Sequence, residues 1–233
     1  MRATGNPDGT TERKLTRYWR WEDAGGLVAP LVALAFLTLA PAARGEKETF
    51  IVDKAHSEFG FKVRHFVSKV GGRFTKFDGT IEIDAANPPA SSVELKIEAA
   101  SINTGNADRD KHLNSPDFFD TAKFPEIAFK STKIVPKGKD VFEVTGDLTM
   151  RGVTKPVVLT VSANGFASDG HGGQKAGFDV TGKLNRKDFG VNYNAVVDGL
   201  AVLSEEVDLG ITVEANKKMP AAPAAAPAKP ATK

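Results

Sequence analysis

The chain has 233 residues, 41% of them hydrophobic, which is enough for one sizeable core or two small ones, so the domain count has to come from the segments themselves. Its formal net charge of +2 hides an uneven distribution: residues 44–216 carry 22 basic and 25 acidic residues, a net of −3, and so lack the cationic footprint of a nucleic-acid binder. With no cysteine anywhere, disulfides, thiolate metal cages and cysteine nucleophiles are excluded, and stability falls to core burial and to closure of sheet edges.

The first segment is uncharged, from Leu27 to Ala40. It follows Arg13, Lys14, Arg17 and Arg20 and leads into Ala40-Pro41-Ala42. A basic flank, a short apolar centre and small residues two apart are the parts of a secretory signal peptide, here residues 1–42. The run is shorter than the ~20 residues a spanning helix needs, and Pro30 interrupts it. An exported protein is therefore expected, with an uncleaved anchor or a buried core helix as the other reading.

From Thr49 to Asn216 the apolar residues alternate, the signature of half-buried strands. Phe59, Phe61 and Val63 share one face while Glu58, Lys62 and Arg64 take the other. The pattern recurs at Ile81 and Ile83; at Val93, Leu95 and Ile97; at Ile127 and Phe129; and at Phe142, Val144 and Leu148. It continues through Val157, Leu159 and Val161, then Phe178 and Val180, and ends with Val207, Leu209, Ile211 and Val213, about eight strands in all. Gly71-Gly72, Pro88-Pro89, Pro136 with Gly138, Arg151-Gly152 and the glycines at 170, 172 and 173 read as the turns between them.

One interval breaks the pattern. Asn106 to Phe119 is charged and carries Leu113, Phe118 and Phe119, with Ser115 and Asp117 as candidate caps, and it predicts one or two short helices. Many similarly spaced strands with one helical insertion predict an all-β fold, a lipocalin-like up-and-down antiparallel barrel over residues 47–216. A barrel of about eight strands can enclose one elongated small molecule. The last segment, residues 217–233, is nearly all Ala, Pro and Lys and cannot offset the entropy of ordering, so it predicts a disordered tail. Its lysines suit contact with anionic lipid at a membrane surface or with cell wall, and a solvated tail with no partner is the plainer reading.

Signs of catalysis are sparse. The four histidines have no familiar metal-ligand spacing, and there is no Gly-x-Ser-x-Gly elbow, phosphate-gripping loop or dinucleotide fingerprint. His56 and Ser57 are adjacent, but neighbours on a strand point to opposite faces, so that serine has no base in that histidine. No metal, no cofactor and no catalytic residue is expected.

Several ordered blocks resemble the YceI-like family. They begin with Asp53, His56, Ser57, Phe61 and His65, then Gly72-Arg73-Phe74 with Phe77 and Gly79. The middle holds Ser101-Ile102-Asn103-Thr104-Gly105, Arg109-Asp110-Lys111-His112-Leu113, Asp117-Phe118-Phe119-Asp120 and Phe124-Pro125. Phe129-Lys130-Ser131, Gly146-Asp147-Leu148-Thr149, Arg151 to Lys155, Arg186 to Val191, and Glu206-Val207 with Leu209 complete the set. Asn103 departs from it, standing where an acidic residue is expected. The resemblance implies a lipocalin-like barrel, exported to the periplasm of Gram-negative bacteria, whose apolar cavity holds a polyisoprenoid or another long-chain lipid.

The composition is compatible with that cavity. Fifteen Phe stand against two Trp and two Tyr, and phenylalanine supplies apolar surface without a polar handle. Burying a dozen methylene-sized groups yields roughly 10 kcal/mol before ordering costs. Phe59, Phe61, Val63, Phe74, Phe118, Phe119, Phe124 and Phe129 are the candidate wall residues, with core filling as the other reading of each. For a polar head group the candidates are His65, Arg109, His112 and Arg186, since arginine grips phosphate with two parallel bonds and protonated histidine adds a donor. For Arg109 with Asp110 the plainer reading is an ion pair or cap that pins the helix. Transport or storage of the lipid, a structural or stress-response envelope role with a filled barrel, and a lipid hydrolase remain the functional alternatives, in that order. The Phe-rich insertion is either a homodimer contact or a lid.

Overall fold

The computed structural model describes residues 47–170, 172–197 and 200–219. Its strands begin with β1 (Glu48–Val52), β2 (Glu58–His65), β3 (Ser68–Phe74), β4 (Phe77–Ile83), β5 (Ser92–Glu98) and β6 (Ile102–Asn103). Helix α1 (Ala107–Leu113) follows, then β7 (Glu126–Gly138), β8 (Val141–Met150), β9 (Val153–Ser168) and β10 (Gln174–Asn185). The short β11 (Val196–Val197) and β12 (Leu200–Ala201) precede the last strand, β13 (Leu203–Lys217). The leader read in residues 1–42, the tail from residue 220 onward and His171 lie outside the described residues.

Eleven of the strands form one antiparallel sheet that closes on itself. Strand β13 pairs with β2 through residues 203–212 and with β1 through residues 215–217, so β1 and β2 lie end to end along it. In the same way β4 and β3 run along β1 and β2, and β5 and β6 run along β4 and β3. The eleven segments therefore occupy eight positions, each antiparallel to its neighbour in sequence, with the last joined to the first. This is the eight-stranded up-and-down barrel that the alternation predicts.

Hydroxyls hold the bends between segments. At the β1–β2 break, Ser57 Oγ donates to Glu214 O at 3.1 Å and accepts from Glu214 N–H at 3.0 Å, standing in for a missing ladder bond. At the next, the buried Ser101 Oγ accepts from the N–H groups of Thr75 and Lys76 and donates to Glu98 O. A buried hydroxyl with all its partners present costs the core little.

Several local expectations need correction. Pro136 and Gly138 lie inside β7, opposite Phe142 and Val141, and the turn there is Lys139-Asp140. Gly71-Gly72 is not a turn: both residues lie inside β3, opposite Lys62 and Phe61, and the real turn is Phe66-Val67. Glycine is needed at 72 because Phe61 Cζ lies 2.5 Å from where its Cβ would be. The helical interval holds one helix, capped by Asn106 Oδ1, which accepts from Arg109 N–H at 3.0 Å; Ser115 and Asp117 fall in the turns that follow. At Arg151-Gly152 the turn is as expected, with positive φ of 50° and 74°, the primed geometry that suits a tight hairpin. Lys217, which the sequence assigns to the tail, is the last residue of β13 and pairs with Phe50, and Lys218 N–H donates to Thr49 O at 2.7 Å.

The turns β2–β3 and β8–β9, helix α1 and the segment from β10 to β13 gather at one end of the barrel, called the helix end below.

Candidate functional site

Cross-strand register identifies the inward face. Phe59, Phe61 and Val63 of β2 pair with Ile211, Leu209 and Val207 of β13, and β13 carries the same face to Val180 and Leu184 of β10. Val180 pairs with Val161 of β9, and Val161 with Phe142 of β8. Burial along this face is lopsided. Phe50, Phe77, Ile97, Ile127, Phe129, Val144 and Leu148 are buried and form one cluster. Along β2, β9, β10 and β13 the same face is mixed: Phe59, Val207 and Val213 are buried, whereas Phe61, Val161, Phe178, Leu209 and Ile211 are only half-buried although they point the same way. Apolar side chains that face inward and still meet solvent line a space that the protein's own atoms do not fill.

The wall candidates divide accordingly. Phe61, Val63 and Phe74 stand on the half-open side, and the Phe61 and Phe74 rings lie 5.8 Å apart. Phe59 and Phe129 are core residues: the Phe59 ring lies 4.3 Å from that of Phe77, and Phe129 fills the hollow over Gly146. Phe118 is buried, while Phe119 is half-buried and meets the Phe74 ring edge-on at 5.9 Å, which brings the insertion onto the barrel wall. Phe124 packs under the β8–β9 turn, a ring atom 2.7 Å from where a Cβ on Gly152 would lie.

Arg151, at that turn, ties the insertion down. Its guanidinium donates to Phe118 O and Gly190 O at 2.7 Å each and to Pro116 O at 2.7 Å. Beside it, the His112, Phe118 and Tyr193 rings pack within 5.0 Å of one another.

The four head-group candidates do not converge. His65 ends β2 on the inward phase, its ring edge-on to Phe66. His112 Nε2–H donates to Asp117 Oδ2 at 2.9 Å. Arg109 and Asp110 form no ion pair with each other; both engage Thr104, which accepts from Arg109 Nε at 2.7 Å and donates to Asp110 Oδ1. Arg186 is 5% exposed, and its Nε and NH1 donate to the carbonyls of Ser204, Val191 and Tyr193 at 2.9, 2.6 and 2.8 Å. Burial pushes its pKa down, and Glu205 partly offsets this. Its NH2 has no partner among the described residues.

Sequence reasoning passed over Lys155. It lies opposite Leu148, on the inward phase with Val153 and Val157, and its Nζ donates to Asp188 Oδ1 at 2.8 Å at the helix end. The interruption of a valine alternation by one lysine is the signal that would have found it. At the opposite end a second pair on the same phase joins Lys217 to Glu48. Polar groups thus mark both ends of an apolar lumen.

On the outer face, Asp53, His56 and Glu214 bring ligand atoms within 4.8 Å of one another. Lys175 Nζ already lies 2.5 Å from Glu214 and 3.6 Å from Asp53, so an ammonium takes the place a cation would need. Hydrogen bonds from His56 and then Asn216 hold the Asp53 carboxyl well below the usual carboxylate range.

A closed eight-stranded meander with a partly buried apolar inward face and a helical insertion at one end places the molecule among the lipocalin-like barrels. The YceI-like domain matches residues 50–215, and the chain belongs to that family. The UPF0312 protein of Pseudomonas syringae pv. tomato is 41% identical over 192 residues, spanning 81% of this chain and 97% of that relative. The crystal structure of the Campylobacter jejuni YCEI protein superposes with a TM-score of 0.60 at 35% identity, covering 66% of this chain and 88% of the other. A polyisoprenoid binding domain from Saccharophagus degradans, implicated in plant cell wall breakdown, shares the fold at a TM-score of 0.52 and 15% identity, over 74% of this chain and all of that one.

Proposed function

We propose that the barrel binds one long-chain lipid of polyisoprenoid type in its lumen and carries or stores it in the cell envelope, with residues 1–42 directing export. The half-buried inward face of β2, β9, β10 and β13 carries this reading, because an apolar wall exposed to solvent is favourable only when something apolar covers it. The polyisoprenoid binding of the Saccharophagus degradans domain supports the ligand class. The protein acts by binding and not by catalysis: Arg109, His112 and Arg186, the chemically capable groups at the helix end, are engaged in holding local structure. Lys155 with Asp188 is the polar pair best placed to meet a head group, since it shares the inward phase.

Native mass spectrometry of the exported form, followed by organic extraction, tests the proposal. A stoichiometric long-chain lipid is expected. A bare polypeptide mass that persists after incubation with prenyl lipids refutes it and favours a self-filled envelope protein.

A further inference from the structure

The β2–β3 turn is built from the wrong residues for a turn. β2 ends at His65 and β3 begins at Ser68, and these two pair, so Phe66-Val67 is a two-residue loop. Phe66 has φ of 50°, a conformation that favours glycine or asparagine, yet the position holds a phenylalanine followed by a β-branched valine. Neither is sheltered: Phe66 is 44% exposed and Val67 96%. Strain and exposed apolar surface at one site are retained only where something outside the fold compensates.

A second apolar tip stands beside the first. Phe66 N–H donates to Val202 O at 3.0 Å, which joins the turn to the β11–β12 hairpin, where Val196 and Val197 are also exposed. Tyr193, with an apolar ring and a polar hydroxyl, is partly exposed in the same segment.

On the β2–β3 hairpin that carries the first tip, the unpaired charges have one sign. On the outer face of the hairpin Arg64 lies directly opposite Lys69, a repulsive cross-strand pair, and Lys62 is two residues away. Lys69 is answered by Asp208 at 2.6 Å, whereas the side chains of Lys62 and Arg64 have no hydrogen bond or ion pair among the described residues. An apolar tip flanked by unpaired cations on its own hairpin matches the boundary of an anionic bilayer, where the tip enters the acyl region and the cations meet phosphates.

We infer that the helix end docks on an anionic phospholipid membrane, with Phe66-Val67 and Val196-Val197 inserting and Lys62, Arg64 and Lys69 facing the head groups. The purpose of docking rests on the lumen reading: β2 carries Phe61 and Val63 on its inward face and Phe66 at its tip, so a lipid leaving the bilayer reaches the lumen along one hairpin.

The test is co-sedimentation of the exported form with vesicles of phosphatidylethanolamine and phosphatidylglycerol (3:1), against vesicles of phosphatidylcholine alone. Wild type should bind the anionic vesicles and release in high salt. Phe66→Gly with Val67→Ser supplies a turn the backbone prefers, so its thermal midpoint should equal or exceed that of wild type while vesicle affinity falls about tenfold or more. Arg64→Ser should weaken anionic binding alone. Failure of wild type to bind, or equal binding by the turn variant, overturns the inference, as does dimerisation through the tips without vesicle binding. Native mass spectra of the same samples separate the two readings: docking with an empty barrel supports this inference and defeats the lumen proposal.

Discussion

Replacing Arg186 with methionine removes a buried guanidinium while keeping a side chain of similar length, and its consequences can be worked from the bonds it makes. Ser204 O, Val191 O and Tyr193 O lose their donors at once. Hydrogen bonds from a charged donor are worth about 1.5–3 kcal/mol each, which gives a gross loss of about 4–9 kcal/mol. Against this stands relief from keeping a desolvated cation in the interior, which offsets several kcal/mol, so the net cost should be about 2–4 kcal/mol. In urea, where a domain of this size has a slope of about 2 kcal/mol per molar, the midpoint should fall by about 1–2 M. Because the three carbonyls lie on the path from β10 to β13, hydrogen exchange should speed up in residues 190–203 before it does in β7. Arg186→Lys should recover only part of the loss, since an ammonium cannot reproduce the fork. A midpoint within about 0.2 M of wild type, together with lost affinity for anionic lipids, would refute the structural role and return Arg186 to the head-group site.

Three further outcomes follow from the same geometry. Phe119→Ala should shorten lipid retention in native mass spectra more than it lowers thermal stability, since the ring is half-buried and meets Phe74 at the wall. Arg109→Ala should cost about 1 kcal/mol by freeing Thr104 and should lower affinity for neutral and phosphorylated lipids alike; a loss confined to phosphorylated lipids would show a head-group contact. Asp53 has a depressed carboxyl pKa, so its stabilisation is fully present above an unfolded value of about 4 and is lost as pH falls below it. Asp53→Asn should therefore destabilise by about 1–2 kcal/mol at pH 7, with the gap narrowing in acid, as followed by urea unfolding from pH 7 to 3.

Period-two alternation revealed the barrel because its strands are half-buried on one face, so each core residue announces itself. It missed β3, whose Gly71 and Gly72 read as punctuation; an inward glycine that accommodates a neighbour's ring looks, in sequence, like a turn glycine. It found the helix but not its cap, since several polar residues compete and only the fold decides which backbone N–H lies free. For the site, alternation put Phe61 and Val63 on the inward phase, as the register has them, and gave no means to separate them from Phe59, because half-buried and buried residues share that phase and differ only in what lies opposite. The basic residues were the least legible. Arg186 and Arg151 are held by backbone carbonyls, partners that carry no sequence signature.

Several inward-phase glycines lie beneath a neighbour's side chain, on both the filled and the half-open side of the barrel. A Cβ on Gly72, Gly79, Gly146 or Gly182 would come within 2.3–2.6 Å of Phe61, Val52, Phe129 or Leu159, so each of these larger groups lies across a glycine, against the wall, and not out into the space. Two of the positions should respond differently to alanine. At Gly182 the obstacle is Leu159 Cδ2, the end of a flexible side chain, with the nearest backbone atom 3.5 Å away. Gly182→Ala should displace the leucine into the lumen at a cost of about 1 kcal/mol or less, and shift the bound lipids toward shorter chains. At Gly146 the new methyl would also meet Lys130 O at 2.6 Å, a ladder carbonyl that cannot rotate aside, so Gly146→Ala should cost about 1–3 kcal/mol. Extraction and chain-length analysis of both variants, beside their urea midpoints, checks the pair. Unchanged lipid length in Gly182→Ala, with Leu159 displaced in its structure, would show that the ligand does not lie along β9 and β10.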